Sequence, residues 1–219
     1  MDAKKIRPGQ KDDVVFGIDV DEVLRCLLCE MVSLYNNDVI YPDSISVDDV
    51  KDFVVETSFP EIQKRTGMRP SEWFFRKHGH RLFRYSKAIE GAVDAVNKLK
   101  LFGKVIIISY QKSTENKIDT IEWLDAHGIE YDGICFVKDK SVVHTDYLID
   151  DNDWNFIGCN AEKGVLITAP YNKEKPLDDI LAKSNCSEIR RFNSIAEFAD
   201  WYESQFVEKE EHCFTENYL

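Results

Sequence analysis

The chain has 219 residues, 43% of them hydrophobic, with 28 Lys plus Arg against 40 Asp plus Glu and a formal net charge of -12. That length carries one medium α/β domain with room for an insertion, and that apolar share supports a packed core and excludes general disorder. The acidic balance disfavours nucleic acid polymers and anionic membranes as partners. It leaves small phosphate substrates open, because a divalent cation and a few local donors can invert the sign of one pocket.

Residues 1–13 are polar, with no apolar run after the basic residues, so they are expected to be a flexible tail and not a signal peptide. Val14 to Val20 reads as a short buried strand, and Arg25 to Tyr35 as a helix. From Asp38 to Ile89 the text changes. Pro42, Pro60 and Pro70, many charges and the aromatics Trp73, Phe74, Phe75 and Phe83 predict a largely helical insertion with most of those rings in its core. His78 and His80 flank a glycine in the basic stretch RKHGHRLFR, which reads as a surface loop or a contact to an anionic substrate. Ala92, Val93, Val96 and Leu99 then recur at helical spacing before Gly103, and Val105 to Ile108 is an apolar strand run. Ser113 is placed to cap a helix whose Ile118, Ile121 and Leu124 share a face, with Gly128 at its end. Ile134 to Val137, Tyr147 to Ile149 and Val165 to Ala169 are further strand candidates. Ser194 and Glu197 form a capping-box pattern before a last helix through Phe206.

Short apolar strands alternating with amphipathic helices define the expected fold class: α/β, a Rossmann-like parallel sheet with helices on both faces. Residues 14–24 and 90–207 are expected to form this core, 25–89 a small helical cap, and 208–219 a second flexible tail. The six cysteines are scattered, a pattern that predicts reduced core thiols and no disulfide frame. Cys26 and Cys29 have the spacing of half a zinc site, but no second pair of ligands completes it. No stretch reaches the roughly 18 apolar residues of a membrane span, so the expectation is a cytoplasmic protein with no membrane partner.

In parallel sheets the ligand binds beyond the carboxyl ends of the strands. The residues there are Asp19 and Asp21 after the first strand, Ser109 after the run VIII, and Asp150-Asp151 after YLI; Lys140 lies in the loop after ICFV. Carboxylates from two strands make a hard-oxygen site suited to Mg²⁺. A carboxylate can attack phosphorus, a second carboxyl two residues on can shuttle the leaving-group proton, and a hydroxyl and an ammonium can hold phosphoryl oxygens. Lys138 competes with Lys140 for the phosphate role, and Asp153 with the acidic pair for the metal.

The order FGIDVDEVL, VIIIS, KDKSVV and YLIDD resembles the four motifs of the haloacid-dehalogenase (HAD) superfamily, from about Val14 to Asp151. IEGAVDAVNKL and KDKSVVHTDYLIDD are similar to the 5'(3')-deoxyribonucleotidase family, which removes phosphate from nucleoside monophosphates under a small helical cap. The resemblance implies a Mg²⁺-dependent phosphatase acting on a small phosphomonoester, a nucleoside 5'-monophosphate or deoxy form. Asp19 would be the nucleophile and Asp21 the acid/base. Ser109 and Lys140 would bind phosphate, Phe53 would stack on the base, and Mg²⁺ would be held by Asp19, the Asp21 carbonyl and Asp151, with Asp150 in support. Members often pair as homodimers. Three positions depart from the family pattern. Glu22 stands where a glycine is common, Val54 follows Phe53 in place of an aromatic, and Tyr110-Gln111 follow Ser109 in place of Ser-Pro. The alternatives are a HAD phosphatase of another phosphoester, such as a sugar phosphate, or a non-catalytic phosphate-binding module.

Overall fold

A computed structural model describes residues 14–39 and 44–215, with side chains up to Phe206. Residues 1–13 and 216–219, within the two expected tails, and Pro42 lie outside the described residues.

Strand β1 (Val15–Ile18) is followed by helix α1 (Leu27–Asp38) and a run of short helices, α2 (Val55–Ser58), α3 (Pro60–Thr66), α4 (Pro70–Glu72) and α5 (Gly79–Tyr85). A π-helical turn over Trp73–Lys77 joins the last two. Helix α6 (Ala92–Lys100), β2 (Lys104–Ser109), α7 (Thr114–Ala126), β3 (Gly133–Phe136), β4 (Thr145–Asp150) and β5 (Ala161–Ile167) come next. The chain ends with α8 (Leu177–Leu181), β6 (Glu188–Phe192) and α9 (Ile195–Thr215). The six strands form one sheet in the order β3-β2-β1-β4-β5-β6, with every pairing parallel. Chain direction across the sheet reverses beside β1, which sits between β2 and β4. That switch point is where a crevice opens at the carboxyl ends.

The apolar residues divide into three clusters. One face of the sheet packs Phe16, Ile18, Val105, Ile107 and Ile149 against α6 and α9, including Val96, Leu99 and Phe198. The other face packs Ile108, Leu148 and Leu166 against Phe156, Ile180 and Cys186. A third cluster lies within the helices between β1 and α6 and includes Leu34, Phe59, Ile62, Trp73, Phe74 and Leu82. Trp73 and Phe74 are fully buried there, as the sequence predicts for cap-core aromatics, whereas Phe75 is half-buried.

The structure corrects several expectations. Ile118 and Ile121 are exposed; α7 instead buries Asn116, Asp119, Thr120, Trp123 and Leu124. The buried face is partly polar because it meets α5, where Asp119 takes a bond from His80 and Trp123 Nε1 donates to the Ser86 carbonyl. Strand β6 was missed because EIRRF is charged; it is an edge strand burying only Ile189 and Phe192, a position that tolerates polar residues on its free side. Helix α9 runs to Thr215, past Phe206 and into the segment expected to be flexible. Cys26 and Cys29 are joined by a disulfide at the start of α1, not held as reduced core thiols. Cys159 and Cys186 remain thiols, buried with their sulfurs 3.5 Å apart. No helix among the described residues is long and apolar enough to cross a membrane.

Gly103 carries the turn from α6 into β2, where Lys104 N donates to the Val14 carbonyl at 2.8 Å. A Cβ at Gly103 would lie 2.2 Å from that same Val14 oxygen and 3.1 Å from the Phe16 ring. Backbone cannot yield as a side chain can, so Gly103→Ala is expected to cost about 1–3 kcal/mol. A lower denaturation midpoint at unchanged m-value checks this, and an unchanged midpoint contradicts it.

Candidate active site

Register brings the polar residues together. Ile18 pairs with Ile107 on one side and Ile149 on the other, so Asp19 emerges one residue beyond, level with Ile108 and Asp150. Asp19 N donates to the Ile149 carbonyl at 3.0 Å, which extends the ladder past the strand and fixes the Asp19 backbone. Lys140 enters from a short helical turn (Lys140–Val142) after β3, with its side chain 3% exposed. Its ammonium lies 3.1 Å from Asp19 Oδ1 and 2.5 Å from Asp150 Oδ2. Lys138, the sequence-level competitor, is exposed at the cavity wall.

Carboxylate oxygens of Asp19, Asp150 and Asp151 all lie within 4.8 Å of one another. Their surroundings differ. Asp150 is fully buried, and both oxygens are engaged, by Lys140, by Asn155 Nδ2 at 2.9 and 3.0 Å, and by Asn152 N at 2.9 Å. Asp151 Oδ2 accepts from the Tyr171 hydroxyl, and its carbonyl accepts from Asn172 Nδ2 at 2.6 Å. Asp153 is drawn off to Lys175 at 2.6 Å.

Burial, set against Lys140 and reinforced by Asp150 and Asp21, pushes Asp19 up to about 7. Burial, Asp150 and Asp19 push Asp151 well above the carboxylate range. Burial alone would depress Lys140, but Asp150 and Asp19 outweigh it and hold the ammonium charged. The cluster therefore has more negative charge than one Lys offsets, the condition in which a bound divalent cation is favoured.

Asp21 sits one turn away in a buried clamp. Arg25, fully buried, donates to Asp21 Oδ1 from Nε at 2.9 Å and Nη2 at 2.7 Å; Gln111 Nε2 donates to Oδ2 at 2.9 Å. The guanidinium also donates to the Phe83 carbonyl at 2.6 Å and lies over the Phe83 and Trp123 rings. Glu22 has φ +59°, a left-handed conformation unusual outside glycine. Its carboxylate accepts from Leu28 N at 2.5 Å, and burial pushes it up to about 7. Ser109 is the last residue of β2, and its Oγ is buried without a hydrogen-bond partner.

These groups line one cavity of about 1470 Å³ between the sheet edge and the helices that follow β1. Its lining includes Asp19, Asp21, Ser109, Lys140 and Asp151 from the strand ends and the loops that follow them, and Phe53, Val54, Phe75 and His80 from the segment between β1 and α6. Phe53 is 51% exposed and meets Tyr171 edge-on, centroids 5.5 Å apart. His80 bonds Asp119 at 2.9 Å, and neither it nor His78 joins an acidic metal cluster among the described residues. Sequence reasoning missed Arg25, Asn155 and Tyr171, which carry no motif or periodicity.

Residues 13–192 match the protein family described as 5' nucleotidase, deoxy (pyrimidine), cytosolic type C. The chain belongs to that family. It is a HAD-type phosphomonoesterase close to the deoxyribonucleotidases. The 5'(3')-deoxyribonucleotidase of Clostridium acetobutylicum is 30% identical over 187 residues, spanning 80% of this chain and 96% of that protein. Among solved structures, a HAD family hydrolase of Deinococcus radiodurans with bound phosphate and sodium superposes with a TM-score of 0.56 at 14% identity, covering 91% of this chain and 98% of that one. A HAD hydrolase of Bacillus subtilis bound to magnesium gives 0.52 at 13% identity, covering 86% and 97%. At those identities the likeness speaks for the α/β fold.

The Asp19 shift has a consequence for stability. A carboxyl held near 7 when folded and near 4 when unfolded ionises at a cost to the folded state between those values, so its contribution is lost as pH rises through that window. In chelator, the melting temperature of Asp19→Asn should gain on that of the wild type as pH goes from about 4.5 to 8. A difference that stays constant with pH contradicts the assignment.

Proposed function

We propose that this enzyme hydrolyses a nucleoside 5'-monophosphate through an aspartyl-phosphate on Asp19, with Mg²⁺ as cofactor and residues 25–89 acting as a cap over the reaction. The observation that carries this reading is the meeting of Asp19, Lys140, Asp151 and the unpartnered Ser109 Oγ in one cavity that Phe53 also lines. The deoxyribonucleotidase relative supports a nucleotide as substrate.

The donor set fits Mg²⁺. It consists of hard oxygens, crowded and short of positive charge. Asp19, the Asp21 carbonyl and Asp151 would hold the ion. Asp150, with both oxygens already bonded, would support from behind. When bound, Mg²⁺ neutralises phosphate charge so that an anionic carboxylate can approach phosphorus.

The chain's own residues carry the steps. Asp19 attacks phosphorus and the nucleoside 5'-oxygen departs, leaving the phosphoryl group on the carboxylate. Asp21 gives that oxygen its proton, then takes one from the water that cleaves the acyl-phosphate. Ser109 Oγ and the Lys140 ammonium hold the phosphoryl oxygens as charge redistributes. Phe53 offers a half-exposed ring to the base.

The deciding assay is phosphate release over a panel of nucleoside monophosphates and sugar phosphates, with Mg²⁺ and with chelator. Nucleotide hydrolysis lost in chelator is expected; preference for a sugar phosphate would replace the substrate assignment. Asp19→Asn should lose on the order of 10³-fold or more in kcat while staying folded, and turnover at the wild-type rate would sink the mechanism. Ser109→Ala should lower kcat/KM about 10²-fold; a change under about 2-fold would remove Ser109 from phosphate binding.

A further inference from the structure

We propose that Tyr171 is a positioning residue that couples the cap's base-contacting ring to the carboxylate of Asp151, so that metal binding and nucleotide recognition share one side chain. The inference rests on the proposed function. Tyr171 stands in the loop after β5, outside every motif that the family resemblance supplies.

The loop is built to be rigid. Asn172 is fully buried and donates from Nδ2 to the carbonyls of Asp151 at 2.6 Å and Ile167 at 2.8 Å, while its Oδ1 accepts from Ala169 N at 3.1 Å. Arg191, from β6, donates to the Asn172 carbonyl at 3.0 Å and to the Lys175 carbonyl at 2.6 Å. Thr168 N donates to the Phe192 carbonyl at 2.9 Å. Main-chain and side-chain bonds thus pin both ends of the loop and the backbone of Asp151 itself.

On that platform Tyr171 points two ways. Its hydroxyl donates to Asp151 Oδ2, and its ring meets Phe53 at 5.5 Å with an interplanar angle of 77°. A hydrogen bond to one carboxylate oxygen fixes the rotation of the group, which lies with Asp19 and Asp150 in one cluster of oxygens, the usual role of a partner behind a metal ligand. The edge-to-face contact braces a ring that is otherwise half in solvent. Whatever packs on Phe53 therefore presses on the residue that orients Asp151. Coupling of this kind is reciprocal: bound nucleotide tightens Mg²⁺, and Mg²⁺ tightens nucleotide.

Two variants of the full chain separate the hydroxyl from the ring. Mg²⁺ binding is read by calorimetry without substrate, and KM is read at saturating Mg²⁺ for a nucleoside monophosphate and for ribose 5-phosphate, which lacks the base. Tyr171→Phe should weaken Mg²⁺ about 10-fold and leave both KM values unchanged. Tyr171→Ala should weaken Mg²⁺ to the same degree and raise the nucleotide KM about 2- to 10-fold, with the ribose 5-phosphate KM unmoved. Mg²⁺ affinity in Tyr171→Phe within about 2-fold of wild type, or equal KM changes for the two substrates in Tyr171→Ala, overturns the proposal. A wild type that binds no Mg²⁺ overturns it together with the proposed function. A wild type that binds Mg²⁺ but turns over no nucleotide removes the substrate reading and the ring's role, and calorimetry still decides the hydroxyl's.

Discussion

Three carboxylates crowd within 4.8 Å of one another beside the ammonium of Lys140, and the rest of the molecule is arranged around that imbalance. Asp19, Asp150 and Asp151 would repel one another apart on a flexible scaffold. The parallel ladder of β1 with β4 prevents this, because Asp19 and Asp150 are held by backbone hydrogen bonds on either side of one register. Lys140 is then inserted between them from the turn after β3. Removing Lys140 would leave buried charge without an offset, a change far more costly than losing a surface ion pair.

Each carboxylate has its own donors, and those donors differentiate the roles. Asp150 is saturated by Lys140, Asn152 and Asn155; Asp21 is clamped by Arg25 and Gln111; Asp151 takes a phenol. Asp19 keeps the Lys140 contact while its side chain stays 13% exposed. Chemically identical side chains thus acquire different availability from their neighbours alone.

One of these donors, Arg25, also links Asp21 to the helices between β1 and α6. The chain enters the helical segment after Leu24 and comes back beside the same point at Ile89, and the two passages are bonded side by side: Ile89 N to the Leu24 carbonyl at 2.8 Å and Cys26 N to the Lys87 carbonyl at 2.9 Å. Arg25 lies in the outgoing passage, holding Asp21 at one end and the Phe83 carbonyl of α5 at the other. The Cys26–Cys29 disulfide stiffens the next turn. Displacement of the helices would therefore be felt at Asp21.

Much of this was legible in residue order. The apolar runs that become β1, β2, β3, β4 and β5, and the polar residues that end or follow them, are local patterns, because burial on a sheet and helix periodicity repeat over a few residues. Asp19, Asp21, Ser109, Lys140 and the Asp150-Asp151 pair could be named that way, and the structure gathers all but Asp150 along one cavity, with Asp150 buried behind Lys140. What residue order could not carry is anything decided by convergence across the chain. Arg25 reads as the start of a helix, yet α1 begins at Leu27, and Asp21, Phe83 of α5 and Thr120 of α7 close around the Arg25 side chain instead. The stripe of Ile118 and Ile121 has helical spacing, yet α5 packs against the face bearing Thr120 and Trp123 instead. Strand β6 hid behind its charges because an edge buries little. Tyr171 reaches Asp151 and Phe53 only because Asn172 and Arg191 fix a loop with no periodicity of its own. Local pattern specifies which backbone becomes strand or helix; the register of the parallel sheet, a long-range property, decides which side chains meet.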